Sequence, residues 1–190
     1  MATMTERNGR EAAAQAVLAA IRGRRSVGKV ATERPARSLI EQVLEAATWA
    51  PCHHRTDPWR FVVLAGKARE ELGEIMAQSK AAGRDLSDEA VRADVERERA
   101  KPLRAPVIIA AGIEPSGHPK AIEVEEIAAG AAAIQNMLLA AHALGLATMW
   151  RTGAPAYDPA VKEWLGFSPA AHLLGFIYVG YPEAAPQRAS

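Results

Sequence analysis

The sequence predicts an α+β or α/β sandwich built around one sheet of four or five strands. The first reason is the order of the predicted elements along 190 residues, which is α-α-β-α-α-β-α-β-α-β. The second is a helical stretch from about Ile122 to Gly145 that is apolar nearly all round and so needs cover on nearly all sides. The third is the apolar run Val107 to Ala111, which is typical of a strand buried on both faces.

The first third of the chain predicts two helices and a strand. Residues 1–9 are expected to be frayed, and the next segment repeats apolar residues every three or four positions. Pro51 then stops the second helix, and a polar loop follows it. The predicted elements are a helix over Glu11 to Arg22, a helix from Pro35 and Ser38 up to Trp49, and a short buried strand over Trp59 to Leu64.

The rest of the chain alternates helices with strands around the apolar stretch. Residues 83–101 are charge-rich and predict an exposed helix that Ser87 could cap. Gly145 predicts the end of the central helix, as a C-cap glycine does. The remaining predicted elements are a helix from Lys67 to about Ala82, strands over 107–111, 147–150 and 172–179, and a short helix over Asp158 to Leu165.

Composition and charge narrow the possible functions. Hydrophobic residues make up 49% of the chain and charged residues 24%, which allows a real core beneath a charged surface. A net charge of +1 gives no general attraction to nucleic acid or to an anionic membrane. The central helix could be a membrane span by length, but Gln135, Asn136 and His142 interrupt it. One cysteine and the lack of a signal peptide predict a cytoplasmic protein.

Two polar stretches have both a chemical and a structural interpretation. Arg22, Arg24, Arg25 and Ser26 follow the first helix, and guanidinium groups match phosphate oxygens. A solvated basic turn or a nucleic-acid contact would give the same pattern. The loop from Cys52 to Trp59 contains adjacent histidines that suggest a metal, or Cys52 as a nucleophile with His53 as its base. No metal-ligand spacing supports the first idea, so no metal is predicted.

A third stretch, Met149-Trp150-Arg151-Thr152-Gly153, lies where a predicted strand ends. Strand ends are common ligand sites in open α/β sheets, although Trp150 could equally be a core aromatic and Arg151 a surface charge. The chain has no glycine-rich nucleotide motif, no hydrolase elbow and no zinc-protease motif.

Taken together, five stretches in this order resemble the FMN-dependent nitroreductase superfamily, and most closely its short single-domain NAD(P)H nitroreductases. The similarity covers about residues 14–183. Its signs are Arg24-Arg25-Ser26, Ala50-Pro51 through Pro58-Trp59-Arg60-Phe61, Ala140-Ala141-His142-Ala143-Leu144-Gly145-Leu146, Trp150-Arg151-Thr152-Gly153, and Gly175 to Pro182.

The resemblance implies a three-layer α-β-α sandwich with a mainly antiparallel sheet of four to five strands. It further implies an intertwined homodimer that holds two FMN molecules at the subunit interface. Residues 1–190 would form a single FMN-binding domain, with 1–9 and 184–190 flexible.

The resemblance also assigns cofactor-binding residues. Arg24 and Ser26 would hold the FMN phosphate, and Arg25 would lie along the ribityl chain or the ring. Trp150, Arg151 and Thr152 would line the flavin, and Arg25 and Arg151 are candidates to tune it. The flavin would meet Trp49 and His53 of the partner subunit. A segment expected to contact NAD(P) comprises Ala140, Ala141, His142, Ala143, Leu144 and Gly145.

The implied activity is an NAD(P)H-dependent reduction of nitro compounds, quinones or similar small electron acceptors, by ping-pong hydride transfer through flavin N5. The cofactor performs the redox step, and the protein binds and orients it. Relatives often have amide side chains where this chain has Asp57, and a lysine where it has Gly28. A related flavin protein with another reaction, such as enone reduction or dehydrogenation, and a non-catalytic FMN-binding protein are therefore the alternatives.

Overall fold

The computed structural model describes residues 4–184, which include one four-stranded sheet. The strand order is β1-β2-β4-β3, and each neighbouring pair is antiparallel. The strands are β1 (Trp59–Ala65), β2 (Val107–Ile113), β3 (Ala147–Arg151) and β4 (His172–Gly180). The mainly antiparallel sheet is therefore confirmed, with β1 and β3 at its edges.

The helices of the described residues lie between and beside these strands. They are α1 (Met4–Gly23), α2 (Arg37–Thr48), α3 (Lys67–Ala81), α4 (Glu89–Ala100), α5 (Glu123–Ala143), α6 (Ala154–Tyr157) and α7 (Pro159–Trp164). Single turns of 3₁₀-helix occupy His53–Arg55 and Lys101–Arg104.

The two faces of the sheet carry separate cores, because successive side chains of a strand point to opposite faces. On one face, Val107, Ile109 and Ile177 pack with residues of α2 and α5. On the other face, Ile108 and Phe176 pack with residues of α3 and α7. The prediction of a three-layer α-β-α sandwich is confirmed.

Small residues bring α5 close to the sheet. A Cβ at Gly130 would lie 2.5 Å from Ile113 Cγ2 and 2.6 Å from a methyl of Leu174, so the helix could not sit this near with a larger residue. The helix ends as predicted at Gly145, whose φ is 78°. The Gly145 N–H donates to the His142 carbonyl and the Leu146 N–H to the Ala141 carbonyl, which is a Schellman C-cap.

The outer face of α5 is uncovered within one chain, contrary to the expectation of burial on nearly all sides. Ala128 and Gln135 are exposed, and Ala131, Ala132 and Leu139 are half-buried. The sheet and α2 together cover only the remaining faces of the helix. Helix α1 likewise leaves Val17 and Ile21 exposed.

Three details differ from the sequence-based expectations. Helix α1 begins at Met4 rather than near Glu11, because the intervening residues include helix-favouring Arg and Glu and no proline. Asp88, not Ser87, caps α4, and its carboxylate accepts from the Ala90 N–H. The one-turn helix α6 was not predicted, since four residues are too few for a periodic pattern. Of the ends expected to be flexible, 1–9 and 184–190, residues 1–3 and 185–190 lie outside the described residues.

Among residues 4–184, no helix is both long and apolar enough to cross a bilayer. The cytoplasmic location stays a prediction.

Candidate active site at the edge of the sheet

The segment after α1 extends the sheet beyond its edge strand. Ser26 forms a parallel bridge with Thr148 of β3, and the Val27 N–H donates to the Thr148 carbonyl at 2.9 Å. Farther along, Val30 forms an antiparallel bridge with Pro182. The segment after the Arg24-Arg25-Ser26 turn therefore runs along β3, whose end carries Trp150, Arg151 and Thr152.

A glycine in β4 fixes the position of Trp150. The indole Nε1 donates to the Leu174 carbonyl at 3.0 Å, so the ring crosses the neighbouring strand. A Cβ at Gly175 would lie only 2.6 Å from that nitrogen. Gly175 also has a φ of 138°, which side-chain-bearing residues rarely adopt. The irregularity of β4 at Gly175 thus leaves space for the Trp150 ring. The Trp150 residue keeps 38% of its surface exposed.

Arg151 points to the opposite face of the sheet from Trp150. Its guanidinium carbon lies 5.4 Å from the centre of the Tyr178 ring, a cation–π distance. Burial raises the pKa of the Tyr178 phenol, and the nearby Arg151 charge opposes this rise only in part. The Nε of Arg151 is buried and has no hydrogen-bond partner among the described residues. This side chain therefore has a donor available for a ligand.

Gly28 makes room for the Arg151 guanidinium. A Cβ at Gly28 would lie 3.9 Å from Arg151 Nη2 and 3.2 Å from Met149 Cε. A longer side chain at residue 28 would compete for this space.

Arg25 has a different environment. Its Nη1 donates to the carbonyls of Arg22 at 2.6 Å and Arg24 at 2.8 Å, so the guanidinium folds back onto the end of α1. Arg25 lines a cavity of about 150 Å³ together with Thr148, His142 and Gly145. Of the segment expected to contact NAD(P), only these last two residues line the cavity, whereas Ala141 is fully buried in the core.

Trp49 and His53 lie elsewhere in the chain. Trp49 follows α2 and is 78% exposed. His53 Nδ1 lies 2.6 Å from the Glu125 carboxylate, in the first turn of α5. Arg25, by contrast, is beside His142 in the last turn. Seventeen residues of helix separate these turns by about 25 Å. Within one chain, His53 therefore does not lie near Arg25.

A larger cleft opens beside Trp150. Its volume is about 470 Å³, and its walls come from α5, the end of β3, α6, α7 and the start of β4. Thr152, Tyr157, Lys162 and His172 contribute polar atoms to an otherwise mainly apolar lining. A planar, mostly apolar ligand with a polar edge suits such a cleft.

Comparison with known proteins settles the family. The profile of the Nitroreductase family matches residues 21–181, which include the site described above except for Pro182.

The chain belongs to the nitroreductase family.

Named relatives agree with this membership. The Escherichia coli (strain K12) protein "Putative NAD(P)H nitroreductase YdjA" is 32% identical over 161 residues, covering 84% of this chain and 85% of the relative. A nitroreductase-like family protein from Bacillus cereus superposes with a TM-score of 0.76 at 27% identity, covering 92% of this chain and 89% of that one. A Bacteroides fragilis nitroreductase with bound FMN superposes with a TM-score of 0.69 at 26% identity, covering 92% of this chain and 93% of that one.

Within this member of the nitroreductase family, the loop after α2 does not form a thiol–imidazole pair. Cys52 Sγ lies 3.3 Å from Thr56 Oγ1, while His53 is bound to Glu125. In residues 4–184, no group of three or more His, Cys, Asp or Glu side chains is arranged to hold a metal ion. The Cys52 nucleophile considered for this loop is therefore wrong.

Sequence reasoning missed two residues of this nitroreductase-family site. Glu125 holds His53 across 72 positions of sequence, and Tyr178 lies under Arg151. The sequence signal for Glu125 was the cluster of three acidic residues at the start of α5. Tyr178 gave none, because an aromatic residue within an apolar strand is typical of a core.

Proposed function

We propose that this protein is an FMN-dependent oxidoreductase that uses NAD(P)H to reduce nitro compounds, quinones or similar small acceptors. The observation that carries the proposal is the pairing of the Ser26 segment with β3, which joins the arginine turn to the Trp150-to-Thr152 strand end. The family membership and the FMN bound in the Bacteroides fragilis nitroreductase support the same cofactor.

The residues present fit FMN. Arg24 and Ser26 would hold its phosphate, since hydrogen bonds from charged donors to phosphate are among the strongest. The unpartnered Arg151 Nε offers a hydrogen bond to an acceptor on the ring. Trp150 and Thr152, at the end of the strand that pairs with the Ser26 segment, would line the ring system. A cation at Arg151 would stabilise negative charge that develops on the ring during reduction.

We also propose that two chains form each site. The uncovered stripe of α5 is small or apolar apart from Gln135, near its middle. A twofold axis close to Gln135 would place Glu125, and with it His53, opposite Gly145 of the partner subunit. His53 of one chain would then approach the cavity lined by Arg25 and Thr148 of the other. The predicted site residues near α2 and those near the arginine turn would thus meet across the interface.

When bound, FMN would accept a hydride from NAD(P)H and pass electrons to the second substrate. The chain's residues bind and orient the reactants rather than react with them. Contact with NAD(P) within the 140–145 segment is limited to residues that line the cavity, His142 and Gly145. That residues 1–190 act as one FMN-binding domain stays a prediction.

An absorption spectrum of the purified protein, before and after adding NADPH, tests this function. We expect a flavin spectrum that survives desalting and bleaches with NADPH or NADH. A nitroaromatic acceptor should then restore the oxidised spectrum. A bound flavin that neither nucleotide bleaches would indicate a non-catalytic flavin protein, and a colourless protein after saturation with FMN would contradict the proposal.

A further inference from the structure

His53 and Glu125 form a dyad at the start of α5. The Nδ1 atom lies 2.6 Å from Oε2, and the His53 side chain remains 61% exposed. A carboxylate only accepts hydrogen bonds, so Nδ1 carries the hydrogen and Nε2 is the nitrogen left to exchange a proton with a ligand. The same arrangement orients general acids and bases in enzymes.

A column of imidazole rings holds this dyad in place. The His53 ring stacks on His54 at 3.9 Å between centroids, and His54 stacks on His118 at 5.1 Å. The Lys120 N–H donates to His118 Nδ1, which keeps that nitrogen unprotonated. His54 has a φ of 61°, a conformation that persists only where its surroundings impose it.

Buried groups beneath the loop add to this support. Glu126 is buried, and Oε2 accepts from the Ser116 N–H at 3.2 Å. Burial pushes the pKa of Glu126 up, but hydrogen bonds from Ser116 and Thr56 outweigh it, and the net pKa is lowered. The loop therefore rests on an ionised carboxylate, and Arg55 and Asp57 are further charged residues of the loop itself.

Reduction of a nitro group requires a proton in addition to the hydride. A nitro group that gains one hydride and one proton loses an oxygen atom as water and becomes a nitroso group. The two electrons and one hydrogen come with the hydride, while the second hydrogen must come from a donor beside the acceptor.

We propose that His53 in its imidazolium form, with a hydrogen on each nitrogen, donates the Nε2 proton to the acceptor in the site of the partner subunit and becomes the neutral Nδ1–H imidazole, and that Glu125 is the residue that positions it. His53 regains its proton from water after each turnover. This inference rests on the proposed function, because it needs a flavin site shared between two chains.

The test compares two acceptors on the reduced holoenzyme, mixed rapidly and followed by flavin absorbance. A nitroaromatic needs the proton, whereas ferricyanide takes electrons without one. We expect His53→Gln to slow nitroaromatic reduction about 100-fold more than it slows ferricyanide reduction, both rates being measured on variant enzyme saturated with FMN. The glutamine amide still donates to Glu125, so the loop keeps that contact.

Glu125→Gln should slow the nitroaromatic reaction about tenfold or more, and Glu125→Asp should recover part of that loss. The matched control is His118→Asn, which changes the last ring of the column without touching the dyad. Because His118 contacts the dyad only through His54, this variant should slow the nitroaromatic reaction far less than Glu125→Gln does and leave the ferricyanide rate unchanged. Nitrogen-15 NMR of the imidazoles gives a readout independent of activity, in which His53 should carry its hydrogen on Nδ1 and lose this preference in Glu125→Gln.

Three results would overturn the inference while leaving the proposed function intact. They are an equal loss of rate with both acceptors, no loss of rate with either acceptor, and a neutral His53 that carries its hydrogen on Nε2. A His53→Gln variant that binds no FMN even at saturation would also overturn it, by showing His53 to be a flavin-holding residue. A wild-type protein that binds no FMN would instead contradict the proposed function.

Discussion

Arg151 and Arg25 are both arginines beside the candidate site, but their surroundings give them different roles. The Arg25 guanidinium is occupied by two carbonyls at the end of α1. Arg151 instead lies over Tyr178, beside Gly28, with one buried N–H unpartnered. Of the two tuning candidates, Arg151 is the one whose charge is free to act on a ligand.

Arg151→Met should therefore weaken FMN binding and make its midpoint potential more negative. A lost charge-assisted contact of about 1.5–3 kcal/mol corresponds to about 30–60 mV for a two-electron couple. Arg60→Met is the matched control, since Arg60 also lies over an aromatic ring, Phe167 at 5.2 Å, but on β1 at the other edge of the sheet. Potentiometric titration of both variants measures the difference, and an equal shift in the two would contradict this role.

Arg24→Ala should weaken FMN binding about 10- to 100-fold. The physical reason is the loss of a charged phosphate contact of about 1.5–3 kcal/mol. Arg22→Ala, two residues earlier in the last turn of α1, is the control and should change the affinity little. Fluorescence titration with FMN measures both, and unchanged flavin retention in Arg24→Ala would remove Arg24 from the phosphate site.

At the level of residues, the sequence indicated which stretches matter but not how their side chains are used. Adjacent Arg24-Arg25-Ser26 and the Trp150-Arg151-Thr152 run were visible as motifs. The direction of each guanidinium depends on carbonyls and rings contributed by other parts of the fold. The His53–Glu125 pair joins residues 72 positions apart, and no local pattern predicts such a contact.

The α3–α4 pair shows how charged side chains hold a surface element. Asp94 accepts from Arg84 at 2.8 Å and pairs with Lys80 at 3.1 Å and Arg97 at 3.3 Å. The helices also approach closely, because a Cβ at Gly73 would lie 2.3 Å from the Arg99 carbonyl. Hydrogen bonds, first from Arg84 and then from Lys80, lower the pKa of Asp94 to about 2.

Asp94 should consequently make this pair of helices acid-sensitive. A carboxyl whose pKa is lower when folded than its ordinary 3.8 stabilises the fold above that value and loses the effect as the pH falls toward about 2. The stability difference between wild type and Asp94→Asn should thus be present at pH 5 and vanish near pH 2. Urea unfolding followed by circular dichroism checks this, with Glu71→Gln as the exposed-charge control on α3. A difference that persists near pH 2 would contradict it.

At the level of elements, the sequence predicted the order and most boundaries, because proline and glycine mark them physically. Pro51 follows the end of α2, and Gly145 ends α5 with a left-handed φ. The predicted start of α1 was wrong because helix propensity is graded and no proline lies between Met4 and Glu11. The predicted cap of α4, Ser87, was wrong because the neighbouring residue Asp88 is an equally good capping residue.

On the scale of the whole molecule, the uncovered stripe of α5 and the exposed apolar residues of α1 call for a partner surface. Ala132→Arg should separate the proposed dimer and abolish tight FMN binding together, since a buried unpaired charge at the contact is strongly unfavourable. Ala90→Arg, on exposed α4, should do neither. Sedimentation and flavin content are the measurements, and a soluble monomer that stays yellow would show that the site is complete within one chain.

The most direct test of the shared site is the FMN content of mixed dimers that pair an Arg24→Ala chain with a Trp49→Ala chain. If each site takes Arg24 from one chain and Trp49 from the other, the mixed dimer has one intact site and one doubly altered site. We predict one tightly bound FMN per mixed dimer, although both parent homodimers bind FMN weakly. No tightly bound FMN in the mixed dimer would place both residues in the same chain's site and contradict the account.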